Sequence, residues 1–223
     1  MVSIGVKFSL PSRPVNSAKT MKRLGILLSG RGSNFLAIHR AIQSGQIPDA
    51  EIAIVLSNKS DAPGLVAARE LGLDVAYVPV AGRTPIERDL EFITRLQQAR
   101  VDLICLAGYM RLISVPFVEA FPDRILNVHP SLLPSFPGLE AQTQALNFGA
   151  KIAGCTVHFV NEKVDDGVMI LQRAVPVLDD DTPATLAARI LFEEHQAYPV
   201  AIAQVLEGTH EVRGRRYLPK NRA

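Results

Sequence analysis

The sequence predicts an α/β fold with a doubly wound, mostly parallel central sheet and helices on both faces, as in Rossmann-like proteins. Three observations lead to this fold class. Short apolar runs alternate with segments of helical period from Arg23 onward, the 223 residues suffice for one large domain, and no repeat or interdomain linker interrupts them. We expect one domain over residues 22–219, a disordered extension over residues 1–21 and a short tail over residues 220–223.

The predicted elements follow one another as strand, turn and helix. Pro63 and Pro85 stand near the first position of two helices, where proline is favoured. Phe35, Ile38 and Ile42 share one face of the first helix. The predicted strands are residues 24–28, 51–56, 75–78, 103–106, 125–128, 154–160 and 169–177. The predicted helices are residues 34–43, 63–71, 85–99, 140–148 and 183–206.

The composition argues against several classes of protein. The 24 basic and 22 acidic residues are spread along the chain, so we expect no nucleic-acid partner. No apolar run is long enough to span a membrane. Cys105 and Cys155 lie in apolar stretches without metal-ligand spacing, which favours buried thiols in a reducing compartment. We expect a soluble, cytoplasmic protein without a disulfide or a metal site, and a solvated basic tail over residues 213–223.

The loop 29–34, Ser-Gly-Arg-Gly-Ser-Asn, separates the first predicted strand from the first helix. Backbone N–H groups at a helix N-terminus favour an anion, so a phosphate site is one interpretation. The loop lacks the third glycine of the dinucleotide pattern and the Gly-Lys-Ser/Thr of the P-loop, which disfavours NAD and ATP. A tight turn with an N-cap explains the same residues equally well.

Polar residues end the fifth predicted strand. Asn127 and His129 are two positions apart, so both side chains point to the same side of the sheet. The proline-rich loop 130–138 follows them, and a fixed loop after a parallel strand is a common ligand site. Asp165, in the polar turn 161–167, is placed to orient His129 or to hold its proton. A structural histidine and ordinary turn chemistry are the alternatives for these residues.

Several stretches carry a more specific signal because they occur together and in order. They are ILLSGRGSN at 26–34, LSNK at 56–59, LAGYMR at 106–111, NVHPSLLP at 127–134, VHFV at 157–160, and the aspartate at 165 before the glycine at 167. From about Lys22 to about Pro219, the chain resembles the glycinamide ribonucleotide formyltransferases of purine synthesis, which belong to the folate-dependent formyltransferase family.

The resemblance implies substrate-binding roles at matching positions. Gly32, Ser33 and Asn34 would bind the phosphate and ribose of the substrate. Arg83 would add a cation to that phosphate or to the folate. Glu194 would hold the amine of the substrate.

The resemblance also implies a folate-binding segment. Met110, Arg111, Leu112 and Ile113 are similar to the lining of the family's pterin pocket, where apolar side chains and backbone groups suit a flat heterocycle. Asn127 would contact the same co-substrate.

The implied reaction moves the formyl group of 10-formyltetrahydrofolate to the amine of 5-phosphoribosylglycinamide, on the route to IMP. Asn127 would donate a hydrogen bond to the tetrahedral oxyanion. His129, held partly protonated by Asp165, would stabilise that charge and help to protonate the leaving folate nitrogen. Neither a metal nor a covalent nucleophile is required. We expect a monomer or a homodimer that acts on small molecules.

The chain departs from the family pattern at two places. Some relatives carry histidines where Glu140 and Gln142 stand here, and this difference touches no catalytic role. The common Asp-Gly-Gly-Pro turn reads Asp-Asp-Gly-Val at 165–168, which alters the loop that closes over the folate. His158 lies in an apolar strand, so a structural role is the favoured interpretation.

Three other functions were weighed against this one. Formyltetrahydrofolate deformylases share the Asn, His and Asp set but normally have an extra N-terminal domain, and only a short stretch precedes the catalytic region here. Methionyl-tRNA formyltransferases normally have a further C-terminal domain. A binding module that keeps the fold without the chemistry is the third alternative. The joint presence of Asn127, His129 and Asp165 favours an enzyme.

Overall fold

The computed structural model describes residues 20–220, so the expected extension over residues 1–21 lies almost wholly outside the described residues. Seven strands form a central sheet and two more form a hairpin. The strands are β1 (Lys22–Leu28), β2 (Ala50–Ser57), β3 (Val75–Tyr77), β4 (Leu103–Leu106), β5 (Ile125–His129), β6 (Ile152–Phe159), β7 (Met169–Pro176), β8 (His210–Arg213) and β9 (Arg216–Pro219). The helices are α1 (Ser33–Gln43), α2 (Pro63–Glu70), α3 (Pro85–Gln98), α4 (Val115–Ala120), α5 (Ala141–Phe148) and α6 (Pro183–Glu207).

The sheet has the strand order β3-β2-β1-β4-β5-β6-β7. Strands β1 to β5 pair in parallel, whereas β6 and β7 are antiparallel to their neighbours. The predicted doubly wound, mostly parallel sheet is therefore confirmed. The chain winds outward from β1 to β3 and returns to the other side of β1 as β4, so the winding direction reverses between β1 and β4. Ligands bind at the carboxyl ends of strands beside such a switch point.

Helices cover both faces of the sheet because β1 alternates its side chains between two apolar layers. Leu24, Ile26 and Leu28 pack in one layer with residues of α1, α2 and α6. Leu27 packs in the opposite layer with residues of α3 and α4. Burial of apolar area on both faces stabilises the sheet and fixes the strand ends from which the site is built.

The sequence predictions missed three elements, helix α4 and the strands β8 and β9. Helix α4 has six residues, too few for a helical period to be recognised. The tail over residues 213–223 was expected to be a solvated end, but the chain up to Pro219 forms the hairpin of β8 and β9. Gly214, with φ of 62°, occupies the tight turn between Arg213 and Arg216, and it is the one turn signal that the sequence offered.

Candidate active site

The loop after β1 turns sharply at Gly32, which has a φ of 73°. A Cβ atom at Gly32 would lie 2.7 Å from the Cα atom of Gly64, so a larger residue would push α1 and α2 apart. Gly64 N also donates a 3.0 Å hydrogen bond to Gly30 O. Since Gly32 is the N-cap of α1, no side chain caps this helix, and the N–H groups of its first turn remain available to an anion. The loop is thus a tight turn with Gly32 at the N-cap, and the phosphate site stays a prediction.

Asn34 and Glu194 form a buried pair between α1 and α6. Asn34 Nδ2 donates a 2.7 Å hydrogen bond to Glu194 Oε2, and both residues are less than a tenth exposed. Burial raises the pKa of Glu194, although the hydrogen bond from Asn34 acts against this shift. Asn34 Oδ1 is buried and has no hydrogen-bond partner among the described residues.

Asp165 lies between two histidine rings at the carboxyl end of β5. Its Oδ2 atom is 3.3 Å from His129 Nδ1, and its Oδ1 atom is 3.7 Å from His158 Nε2. Gly138 N donates a 2.8 Å hydrogen bond to Oδ2, which ties the loop after β5 to the turn that carries Asp165. The Asn127 amide is 3.3 Å from His158 Nε2. The structure thus brings the predicted Asn127, His129 and Asp165 together, and it adds His158 to the set.

The contacts of His158 determine its tautomer. Its Nδ1 atom is 2.8 Å from Phe159 O, which can only accept, so Nδ1 carries a hydrogen. Burial lowers the pKa of His158 and favours the neutral ring, in which Nε2 is an acceptor. The NH2 side of the Asn127 amide must therefore face His158. One Asn127 N–H is used in this contact and the other is left for a ligand oxygen.

His129 is held on both sides of its ring. Nε2 is 2.9 Å from Phe136 O, while Nδ1 faces the carboxylate of Asp165. Phe136 lies in the loop after β5 and has a φ of 54°, which is unusual for a non-glycine residue. The position of the His129 ring therefore depends on both the Phe136 loop and the Asp165 turn.

The segment 110–113 is anchored by two hydrogen bonds, while the side chains of Met110 and Leu112 stay exposed. Met110 N donates to Ser29 Oγ at 2.9 Å, and Arg88 donates to Leu112 O at 2.8 Å. Arg88 is buried in an ion pair of 2.7 Å with Asp89, whose carboxylate also accepts from the N–H of residue 114. Met110 and Leu112 are 67% and 72% exposed, so this edge presents apolar surface at fixed positions. No pattern in the sequence indicated this supporting pair of Arg88 and Asp89.

The remaining predicted residues contribute less to the constellation. Arg83 pairs with Glu91 of α3, and within residues 20–220 no hydrogen bond or ion pair joins it to loop 29–34.

Cys105 and Cys155 are buried free thiols, and burial raises the pKa of each to about 12. Over the same described residues, no group of three or more His, Cys, Asp or Glu side chains could hold a metal ion. None of the helices described is long and apolar enough to cross a membrane.

Comparison with known proteins gives matches over most of the chain. The formyl transferase family model matches residues 22–202. Phosphoribosylglycinamide formyltransferase of Haemophilus influenzae is 42% identical over 189 residues, which are 84% of this chain and 89% of that protein. The trifunctional purine biosynthetic protein adenosine-3 of Drosophila melanogaster is 46% identical over 192 residues, 84% of this chain, but the match spans only 14% of that protein's length.

A solved structure gives the same result. The crystal structure of glycinamide ribonucleotide transformylase 1 from Symbiobacterium toebii is 48% identical and superposes with a TM-score of 0.89, covering 96% of this chain and 100% of that one. Family model, curated relative and solved structure agree, and the chain belongs to the formyl transferase family.

Proposed function

We propose that this protein transfers the formyl group of 10-formyltetrahydrofolate to the amine of 5-phosphoribosylglycinamide, a step of de novo purine biosynthesis on the route to IMP. The observation that carries the proposal is that Asn127, His129 and Asp165 meet at the end of β5: Asp165 Oδ2 lies 3.3 Å from His129 Nδ1, and the Asn127 amide lies 3.3 Å from His158 Nε2 beside them. It lies at the carboxyl edge of the parallel strands, where this fold class binds ligands.

The substrate phosphate and ribose are assigned to Gly32, Ser33 and Asn34. The uncapped first turn of α1 offers N–H groups to a phosphate, and the helix dipole adds a partial positive charge. Arg83 adds a cation to the phosphate or the folate once it exchanges its contact with Glu91 for one with a ligand.

The substrate amine is assigned to the pair of Asn34 and Glu194. Asn34 Oδ1 is a buried acceptor without a partner, and a buried polar group that lacks a hydrogen bond destabilises the fold. An amine supplies N–H donors for this oxygen and for the Glu194 carboxylate. A neutral primary amine has two N–H donors, one for each of these acceptors.

The pterin of the folate is assigned to Met110, Arg111, Leu112 and Ile113, with Asn127 at the formyl end. The exposed side chains of Met110 and Leu112 suit the faces of a flat heterocycle, and the Leu112 carbonyl is held rigidly by Arg88. Bound there, 10-formyltetrahydrofolate supplies the formyl group.

Asn127 donates its second N–H to the formyl oxygen as negative charge develops on it. Its amide is already oriented by His158, so little reorganisation is needed when the charge appears. His158 is therefore a positioning residue for Asn127, which differs from the purely structural role favoured from the sequence.

His129 stabilises the same charge and passes a proton to the leaving nitrogen. The attacking amine loses one proton as it becomes the formamide, which balances the proton that His129 gives up. Asp165 balances the charge of the protonated ring across 3.3 Å. Nε2 contacts the Phe136 carbonyl, so proton transfer from this nitrogen requires the loop after β5 to release it.

We further propose that the protein works on small molecules in the cytoplasm, as a monomer or a homodimer, without a nucleic-acid partner.

The test is formyl transfer from 10-formyltetrahydrofolate with and without the ribonucleotide, for the wild type and Asn127→Ala. Losing one oxyanion donor should reduce turnover by about a hundredfold or more. The matched control is Asn147→Ala, an exposed asparagine on α5, which should keep wild-type turnover. Turnover with water alone would favour a deformylase, and no turnover in the wild type would favour a binding module; either result overturns the proposal.

A further inference from the structure

Arg215, in the tight turn between β8 and β9, contacts the turn that carries Asp165. Its Nη2 atom donates a 2.9 Å hydrogen bond to Asp166 O, and the same atom is 3.3 Å from Asp166 Oδ1. Its Nη1 atom is 3.4 Å from Asp166 Oδ2. One guanidinium therefore holds both the main chain and the side chain of Asp166, a residue 49 positions earlier in the chain.

A second contact holds the hairpin of β8 and β9 at the other end of the same turn. The Tyr217 ring of β9 packs against Phe159 at a centroid distance of 5.6 Å, and His210 of β8 stacks on Tyr217 at 5.1 Å. Phe159 is the last residue of β6 and stands just before the turn, while Asp166 stands near its end. The hairpin thus braces both ends of the turn 160–168.

The turn needs this support because its own main chain makes few hydrogen bonds. Among the described residues, positions 161–167 take part in no backbone–backbone hydrogen bond outside helices and strands. Lys163 N donates to the side chain of Asn161, and Arg215 supplies the bond to Asp166 O. Removing Arg215 removes a main-chain anchor as well as an ion pair.

Asp165 and Asp166 are adjacent, but their carboxylates contact opposite partners. Asp165, with φ of 51°, turns inward to His129 and Gly138, whereas Asp166 turns outward to Arg215. A residue that fixes the main chain at Asp166 therefore also limits how far the Asp165 carboxylate can move from the His129 ring.

We propose that Arg215 is a positioning residue, which keeps the Asp165 carboxylate against His129 by anchoring the turn 160–168 to the hairpin. Its effect on turnover rests on the proposed function, but its effect on the turn does not. The contact is exposed, with the Arg215 side chain at 64% and that of Asp166 at 40%, so its loss should change kcat and the amide exchange rates about two- to fivefold.

The first measurement is amide hydrogen exchange of the full chain, compared between wild type, Arg215→Ala and Arg216→Ala. Arg216 is the exposed neighbour in β9, and within residues 20–220 its side chain has no hydrogen bond or ion pair. Arg215→Ala should accelerate exchange of the Gly138 and Lys163 amides, which donate to Asp165 Oδ2 and Asn161 Oδ1, about two- to fivefold. Arg216→Ala should leave the exchange of both amides unchanged. Equal exchange in Arg215→Ala and the wild type would overturn the proposal.

The second measurement is formyl transfer by the same variants and by Asp165→Asn with and without Arg215→Ala. Arg215→Ala should lower kcat about two- to fivefold at unchanged KM for the ribonucleotide, and should cost nothing further once Asp165 is replaced. Full additivity of the two losses would overturn the positioning role. If the wild type transfers no formyl group, the proposed function fails, while the exchange measurement still decides whether Arg215 anchors the turn.

Discussion

Replacing Asp165 by asparagine tests the central contact of the site, because it keeps the size of the side chain and removes its charge. The lost charge lies 3.3 Å from His129 Nδ1, and both side chains are little exposed, at 6% for the histidine and 11% for the aspartate. Coulomb's law with an effective dielectric constant of about 20 gives about 5 kcal/mol for unit charges at this separation. Since desolvation offsets part of this energy, we expect kcat to fall by about two to three orders of magnitude.

The assay is steady-state formyl transfer together with urea unfolding of the same variant. Gly138 N can still donate to the amide oxygen of Asp165→Asn, so the free energy of unfolding should fall by less than about 2 kcal/mol. The control is Glu162→Gln, the same loss of charge at an exposed position of the same turn. A kcat within tenfold of the wild type in Asp165→Asn, or an equal loss in Glu162→Gln, would refute the assigned role of this carboxylate.

Three further predictions concern stability, each measured by urea unfolding. Burial raises the pKa of Glu194, so the folded protein retains a proton that the unfolded chain loses above about pH 4.3. The free energy of unfolding should fall as the pH rises from this value through the pKa of Glu194 in the folded protein. Glu194→Gln should abolish this fall; the same pH dependence in the variant would show that Glu194 is not its cause. Gly167→Ala should cost about 1–3 kcal/mol, because a Cβ atom there would overlap the Phe159 carbonyl oxygen; wild-type stability would show that the turn relaxes. Tyr198→Phe should cost about 1–2 kcal/mol, because the buried Leu126 O would lose the 2.9 Å hydrogen bond from the tyrosine hydroxyl; an unchanged free energy of unfolding would contradict this.

The parallel strands and the long helices could be predicted because each is encoded by a pattern of neighbouring residues. Residues 24–28 form a continuous apolar run, and Pro85 marks the start of α3 within the capping box of Thr84. The antiparallel pairing of β5 with β6 and the docking of the β8–β9 hairpin depend on partners far along the chain. Short, charged strands such as His210–Arg213 carry little of their own signal.

The site was predictable where one strand carries the residues, and not where tertiary contacts do. Asn127 and His129 follow from alternation on β5. The contact of Asp165 with His129 joins residues on different elements, so sequence position alone left it as an expectation. The contact of His158 with Asn127 depends on the register between β5 and β6, in which these two residues are direct partners. No local pattern distinguishes such a histidine from one that only fills the core.

Because the register between β5 and β6 places His158 directly opposite Asn127, the protonation state of His158 affects the proposed chemistry. A protonated His158 would point an N–H from Nε2 at the NH2 group of Asn127, two donors 3.3 Å apart. The amide would then turn its oxygen towards the ring, and its donors would move away from the formyl oxygen. Burial lowers the pKa of His158 and opposes this protonation, so the same packing that encloses the ring preserves the donor that the proposed reaction needs.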